Sequence, residues 1–280
     1  MTIIKAGNAT SGTSIATDGN GILELKTGSG SGTTALTLDA SQNATFAGSV
    51  NISGVSGAIY PIVPNTPTNI YPSYTANISG TVMDVTVAPS FGLIQVGQII
   101  TGTGVSANTR ITALGTGTGG TGTYEVSVSQ TVGGTTISTI GVEYQSIPPW
   151  VKRITVMFQS VSLSGTDSIL VQLGDSGGIE TTGYNGGGAR LTNTNTVATA
   201  RFTTGFGFNN TTAGNIFDGS LVITLIDTRT YTAMGIISGV TDVICSCAGR
   251  KTTSATMDRI RITRSGTDVF DDGSVNILWE

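Results

Sequence analysis

The sequence predicts an all-β protein, and two observations lead to this expectation. Apolar and polar residues alternate with period two in most apolar segments, as they do from Tyr124 to Val128, and no run at helical spacing exceeds a turn or two. The 40 glycines fall between short apolar runs, where they mark turns, and only 11% of the residues are charged. We therefore expect many short strands, each with one buried face.

The first predicted region, residues 1–58, is an N-terminal oligomerisation segment. Its strands are very short, and the apolar positions come in pairs separated by Gly, Ser, Thr and Asn: Leu23/Leu25, Leu36/Leu38 and Val50/Ile52. A strand of this kind has too little apolar surface to fold alone. We expect stacking or trimerisation to supply the missing burial.

Three further regions follow. Prolines at 61, 64, 67 and 72 predict an extended, poorly hydrogen-bonded linker over residues 59–75. Residues 76–141 are predicted to form a small β-module. Residues 142–280 have longer alternating runs with more aromatic and charged residues, typical of a β-sandwich or jelly-roll head. The strands predicted for the small module, joined by Gly-rich turns, are Met83–Val87, Gln98–Thr101, Arg110–Leu114, Tyr124–Val128 and Thr135–Ser138.

The charge of the chain and its lack of long apolar runs restrict the kinds of partner that we expect. The net charge of −4 gives no electrostatic case for binding nucleic acid, and the first half of the chain is almost uncharged. Such a surface is soluble if hydroxyls and amides solvate it or if identical chains cover it, and the second interpretation predicts a homo-oligomer. The N-terminal residues lack the apolar stretch of a secretory signal, and no apolar run approaches a bilayer span. We expect assembly in a cytoplasm and no membrane insertion.

The residue types in this chain give little support for a catalytic site or a metal site. The chain has no histidine, which removes Ser-His and Cys-His nucleophiles and histidine-ligated metals. Two carboxylate pairs are candidates for glycan hydrolysis, Asp271/Asp272 and Asp175/Glu180. Asp271, Asp272 and Gly273 are more typical of a turn. We predict no catalytic residue, no metal and no cofactor.

The two cysteines, Cys245 and Cys247, are too close in sequence for an unstrained mutual disulfide. They lie on one face of a predicted strand. Two interpretations are open, a metal site with ligands from elsewhere or buried free thiols, and the second is favoured.

Aromatic and basic residues provide the binding candidates. Trp150 and Trp279 are expected in the core or at a subunit interface, whereas Tyr184 lies in a Gly-rich loop and is predicted to be an exposed ring that stacks on a sugar. A basic run comprises Arg250, Lys251, Arg259, Arg261 and Arg264. It either grips phosphate or acidic sugar, or Arg259 and Arg261 pair with Asp258, Asp268 or neighbouring strands. The predicted receptor-binding residues are Tyr184, Asn185, Tyr231, Arg250 and Lys251.

Three segments carry a resemblance to a known class of protein. The segment 33–48 (TTALTLDASQNATFAG) resembles the start of many tail-fibre and tailspike-like virion proteins of tailed bacteriophages. Residues 97–124 are similar to a repeat unit of phage virion proteins, and the segments 147–154 and 273–280 are similar to the head domain of the same kind of protein. The resemblance implies a parallel homotrimer whose N-terminal segment binds phage tail or adaptor proteins and whose C-terminal head faces the host.

The resulting hypothesis is a non-enzymatic virion protein of the tail, a short tail fibre or receptor-binding tip that attaches the particle to a cell-surface glycan or protein. One alternative is a head-decoration or collar cement protein. A second is a small glycan hydrolase of the tailspike kind, although the resemblance supplies no catalytic residue.

Overall fold

The structure is a computed structural model that describes residues 23–27, 33–38, 44–46, 67–240 and 242–280. Within these ranges all regular structure is β-strand, and every strand pair is antiparallel. The all-β prediction is confirmed. None of the described residues belongs to a helix long and apolar enough to cross a membrane. The chain divides into two units, residues 1–61 and 62–280.

The first unit contains a three-stranded sheet in the order β1 (Leu23–Thr27), β2 (Thr33–Leu38) and β3 (Ala44–Phe46). Its register places Leu23 opposite Leu38 and Leu25 opposite Leu36, so the two predicted leucine pairs face each other across β1 and β2. The third predicted pair, Val50 and Ile52, lies outside the described residues. Association of this segment with sister chains stays a prediction.

The described part of the second unit, residues 67–240 and 242–280, contains sixteen strands in two sheets. In chain order they are β4 (Thr68–Asn69), β5 (Ser73–Val87), β6 (Gln98–Gly102), β7 (Ile111–Leu114), β8 (Gly122–Tyr144), β9 (Arg153–Leu163), β10 (Ile169–Asp175), β11 (Gly178–Ile179), β12 (Asn185–Thr192), β13 (Val197–Phe202), β14 (Phe206–Phe208), β15 (Phe217–Leu225), β16 (Thr230–Gly239), β17 (Val243–Thr252), β18 (Arg259–Arg264) and β19 (Phe270–Trp279).

Each sheet has eight strands. The head sheet has the order β13-β12-β17-β16-β15-β9-β19-β4. The shared sheet has the order β11-β10-β18-β8-β5, with β14 on β10 and both β6 and β7 on β8. We call it shared because β8 belongs to both the small module and the head. The two sheets contribute inward side chains to one core, for example Val156 of β9 and Ile262 of β18, as in a β-sandwich.

Strand β8 connects the two parts of the second unit. It is 23 residues long and contains both Tyr124–Val128 and Thr135–Ser138, which the sequence predicts as separate strands. The predicted break at Gly133 and Gly134 is wrong. The ladder continues because β5 pairs along both parts, with partners on each side of the two glycines. Glycine lowers strand propensity, but a long partner strand supplies the hydrogen bonds that hold it.

The hydrophobic core divides along β8. One cluster lies in the small module and includes Tyr74, Met83, Ile111 and Tyr124. The larger cluster lies in the head and extends from Val142 through Ile277. The division falls between Ile137 and Val142 of β8, close to the predicted boundary at 141/142, although the strand itself runs through it.

Two local predictions are corrected. Residues 67–75, predicted to be a poorly hydrogen-bonded linker, contain β4, which pairs with β19, and Ile70, which is fully buried in the head core. Asp271 and Asp272 lie within β19 and not in a turn. The strand accommodates them through bulges on either side of Asp272. Gly273 follows at φ +95°, and a Cβ at this position would lie 2.5 Å from the Ser160 carbonyl oxygen, so the position requires glycine.

Candidate functional site

The five predicted receptor-binding residues come together at one end of the head sheet, where β12 begins, β16 begins and β17 ends. Asn185 pairs with Arg250 across β12 and β17, and Tyr231 pairs with Lys251 across β16 and β17. Because side chains alternate along a strand, the set is split between two faces. Asn185 and Arg250 are exposed on the outer face, whereas Tyr184, Tyr231 and Lys251 are buried.

Tyr184 is not the exposed ring that its Gly-rich surroundings predict. It is only 3% exposed, and its ring packs edge-to-face on Phe206 with centroids 5.2 Å apart. Its hydroxyl accepts a hydrogen bond from the backbone N–H of Leu173 at 2.6 Å, and burial raises its pKa. A buried tyrosine needs a partner for its hydroxyl, and β10 supplies one. The ring is therefore a support for the site and not a ligand contact.

Lys251 is held over Tyr184 by charge. Its ammonium group forms an ion pair with Glu180 and lies 5.3 Å from the centroid of the Tyr184 ring, within the range of a cation–π contact. The residue is 5% exposed. Burial raises the pKa of Glu180, but the ion pair with Lys251 and the hydrogen bonds from Ser254 outweigh it, so the pKa is lowered. The ammonium group of Lys251 is therefore engaged within the protein and largely withdrawn from solvent.

The carboxylate pair Asp175/Glu180 is also brought to this end of the sandwich. Asp175 accepts hydrogen bonds from the Ser254 hydroxyl at 2.6 Å, the Ala255 N–H at 2.7 Å and the Gly177 N–H at 2.8 Å. Glu180 accepts one from the Ser254 N–H at 2.6 Å. The Ser254 hydroxyl, followed by the Gly177 N–H, lowers the pKa of Asp175. The two carboxylates together fix the segment after β17.

This fixed segment forms one wall of an open pocket of about 640 Å³. The pocket lies beside Tyr231, on the edge of the cluster just described. Its walls combine apolar surface with a cation, a carboxylate and hydroxyls, and most of these side chains are exposed. The lining residues are Pro149, Lys152, Leu225, Asp227, Thr228, Tyr231 and Thr256.

Hydrogen bonds hold the opposite walls of the pocket. Asp227 closes the turn between β15 and β16 by accepting from the N–H groups of Arg229 at 3.0 Å and Thr230 at 2.8 Å, and these bonds lower its pKa. The backbone of Lys152 donates to the Glu280 carbonyl and accepts from the Leu225 N–H, both at 2.8 Å. A pocket with fixed walls loses little conformational entropy when a ligand enters.

Tyr231 forms the floor of the pocket. It is 3% exposed, so only a small part of the residue is accessible from the pocket. Burial raises the pKa of Tyr231, and a hydrogen bond with the Met257 backbone opposes this. The hydroxyl is therefore protonated at neutral pH.

Three further arginines of the basic run have partners within the protein. Arg259 pairs with Asp258 at 2.7 Å, and Arg261 pairs with Glu143 of the neighbouring β8 at 2.8 Å. The interpretation that these two arginines form ion pairs is confirmed. Arg264 donates to the backbone carbonyl of Asp268 at 2.7 Å. Of the five basic side chains, Arg250 is the exposed one.

The cysteines are buried free thiols, as favoured by their spacing. Burial raises the pKa of Cys245 to about 11 and that of Cys247 to about 12, which keeps both protonated at neutral pH. Within the ranges that the structure describes, no group of three or more Cys, Asp or Glu residues is arranged to hold a metal ion.

Sequence reasoning missed the exposed side chains of the pocket, among them Lys152, Thr228 and Thr256. The turn at Asp227 carries a readable signal, since an Asp two residues before the N–H it accepts from is typical of an Asx-turn. Its approach to Pro149 and Thr256 depends on strand order and has no local signal.

Comparison of this chain with protein-family models, with curated proteins and with solved structures gave no match.

Proposed function

We propose that the protein is a structural component of a tailed-phage virion, a short tail fibre or receptor-binding tip, and that its head binds a cell-surface glycan in the pocket beside Tyr231. The observation that carries this proposal is the pocket itself. It is about 640 Å³, within the range of small-ligand sites, and it opens at one end of the sandwich between turns that two strand pairs hold in place.

The chemistry of the lining suits a sugar. Pro149, Leu225 and Tyr231 offer apolar contact for C–H groups, while Thr228 and Thr256 offer hydroxyls. Lys152 provides three donors, and the Asp227 carboxylate, whose pKa is lowered, is an acceptor at neutral pH. One or two sugar rings have this mixture of apolar faces and hydroxyl groups.

The carboxylate contacts support binding without catalysis. Both oxygens of Asp175 accept hydrogen bonds within the protein, and Glu180 accepts from Ser254 while it pairs with Lys251. A glycosidase acid needs a raised pKa, whereas the pKa of each of these carboxyls is lowered. Their role here is to fix the pocket wall.

Weak sugar binding at one site becomes useful when several copies act together. The proposed homotrimer would present three pockets to one cell surface, so avidity would compensate a weak single contact. The N-terminal segment would attach this assembly to a tail or adaptor protein. This arrangement rests on the resemblance of residues 33–48 and 97–124 to virion proteins.

Filling the pocket tests the proposal. In the full chain, Thr228→Trp places a large side chain at an exposed wall position, and Thr194→Trp at the exposed turn between β12 and β13 is the matched control. We expect Thr228→Trp to lower retention on immobilised bacterial surface polysaccharides and adsorption to host cells at least about tenfold, equivalent to 1.4 kcal/mol of binding free energy. Thr194→Trp should retain both.

Equal binding by Thr228→Trp and the unsubstituted chain would contradict a glycan site in this pocket. Location in the virion separates the fibre from the cement alternative, because gold-labelled antibody against the head should decorate the tail. Labelling of capsomers would contradict the tail assignment. Release of oligosaccharide from host envelope would favour the hydrolase alternative.

A further inference from the structure

The outer face of the head sheet carries a contiguous apolar surface. Met234 and Ile236 of β16 are 72% and 61% exposed, and Ile244 of β17 is 48% exposed. Leu191 of β12 and Val197 of β13 are 45% and 63% exposed. An antiparallel sheet with one face on the core normally shows polar residues on the other face. In this sheet β12, β13, β16 and β17 instead carry exposed apolar side chains on that other face.

The strand register makes these side chains neighbours. Val197 pairs with Leu191, which pairs with Ile244, so that one row crosses three strands. Met234 pairs with Ala248 on one side and Val222 on the other. Ile236 lies between the two rows, opposite Ser246 and Ser220. We call this surface the outer apolar face; it consists of Leu191, Val197, Val222, Met234, Ile236, Ile244 and Ala248.

Charged side chains lie only at the margins of this face. Arg250 is at the end of β17 near the pocket, and Asp218 is at the opposite end, beside Ser238. The exposed Arg201 lies on the edge strand β13, where it pairs with Gly187 in the row of Ala248 and Met234. Two identical faces can therefore meet without placing like charges against each other at the centre. Copies arranged around one three-fold axis, as in the proposed homotrimer, can each turn this same face toward the others.

The apolar side chains of this face are not scattered singly. Five large ones, each between 45% and 72% exposed, adjoin in the strand register, and a contiguous exposed patch of this kind is typical of a protein–protein contact. We propose that this face is covered by a sister copy of the same chain. The inference deepens the oligomer of the proposed function by naming the surface, and it does not depend on what the pocket binds.

Methionine oxidation tests whether the face is covered. The full chain is treated with dilute hydrogen peroxide, and the oxidised fraction of each methionine is measured by mass spectrometry. Met83 and Met257, which are 0% and 4% exposed, report folding in the same sample. The protein concentration is chosen so that sedimentation gives a mass of more than one chain. In the unsubstituted chain we then expect Met234 to be oxidised several-fold more slowly than a free thioether.

Two changes should uncover Met234. The double variant Ile236→Glu with Ile244→Glu places charges on the face, while Thr112→Glu with Ser129→Glu places the same charges on exposed positions of the small module. Met234 should become rapidly oxidised only in the first. Dilution of the unsubstituted chain to the mass of one chain should have the same effect, and it needs no variant to fold. Rapid oxidation of Met234 in the assembled chain, or protection in a particle of one chain, would overturn the proposal.

Discussion

The small module and the head bury polar groups in different ways, although both are glycine-rich antiparallel sheet. In the small module the buried Gln98 side chain donates to the carbonyls of Asn69 at 2.7 Å and Leu93 at 2.9 Å and accepts from the Gln95 N–H at 2.9 Å. The head also buries amides, such as Gln172, which donates to the Thr204 carbonyl at 2.8 Å, but it adds ion pairs, such as that between Glu143 and Arg261. A neutral amide satisfies backbone groups without the cost of burying a charge.

The difference accounts for where the charges lie along the sequence. A module built from amides and hydroxyls needs few charges, and the first half of the chain has few. In the head, charged side chains hold segments around the pocket in place. Asp175 and Glu180, for example, accept hydrogen bonds from the backbone of the segment after β17. Charged contacts are strong and directional, which suits a site whose walls must stay in place.

The largest effect is expected in the head core. Phe206 is fully buried and supports the Tyr184 ring beneath Lys251. Phe206→Ala should lower the free energy of unfolding by about 4 kcal/mol because it leaves a cavity. Phe91→Ala is the control, since Phe91 is 76% exposed. Denaturant unfolding gives the total change, and hydrogen exchange should show it in the head first. Uniform loss of protection in both regions would mean that they unfold together through β8.

A smaller effect tests the amide in the small module. Gln98→Leu keeps the volume of the side chain but leaves three backbone groups without their partner, and we expect a loss of about 3 kcal/mol. Gln159→Leu at an exposed position of β9 should change stability by less than about 0.5 kcal/mol. An effect of Gln98→Leu as small as that of the control would show that the amide is dispensable.

The smallest effect is expected from acid, which should destabilise the head before the small module. The pKa values of Asp175 and Glu180 are lower in the folded chain than the ordinary values near 4 of unfolded carboxyls. Their contribution to stability is therefore complete above about pH 4 and is lost as the pH falls through the lowered folded values. Hydrogen exchange around the segment 253–257 should rise over this range before that of the small module.

Asp175→Asn is the matched variant for the acid experiment. It should reduce stability at neutral pH and make the stability of the head less dependent on pH below about 4, because the substituted side chain does not titrate. An unchanged pH dependence in Asp175→Asn would contradict the role of this carboxylate. Equal acid sensitivity of the small module and the head would remove the distinction between them.

Much of the fold follows from local sequence. The period-two pattern at Ile154, Val156 and Phe158 predicts β9 and its buried face, because strand geometry alone sets that alternation. The Gly-rich turn predicted between Arg110–Leu114 and Tyr124–Val128 is confirmed, because β7 and β8 pair as antiparallel neighbours on either side of it. The buried thiols and the ion pairs of Arg259 and Arg261 are also predicted, since each depends on neighbours in the same or an adjacent strand.

The candidate site follows from sequence only in part. Composition and loop signals select Tyr184, Tyr231 and Lys251 and the pair Asp175/Glu180, and these do converge. The exposure of Tyr184 is mispredicted, because a glycine-rich loop signal carries no information about what packs beneath it. Tyr184 is buried because β10 and β14 supply a backbone donor and the Phe206 ring, and both lie in another sheet.

The sequence by itself determined the strand class, the alternation of each strand and the scarcity of charge, because these depend on residue type and spacing along the chain. Only the tertiary structure decided that Pro149, Asp227 and Thr256 line one pocket and that Met234, Ile244 and Leu191 share one outer face. Strand order brings these residues together from distant parts of the chain, and no local pattern encodes which strands become neighbours.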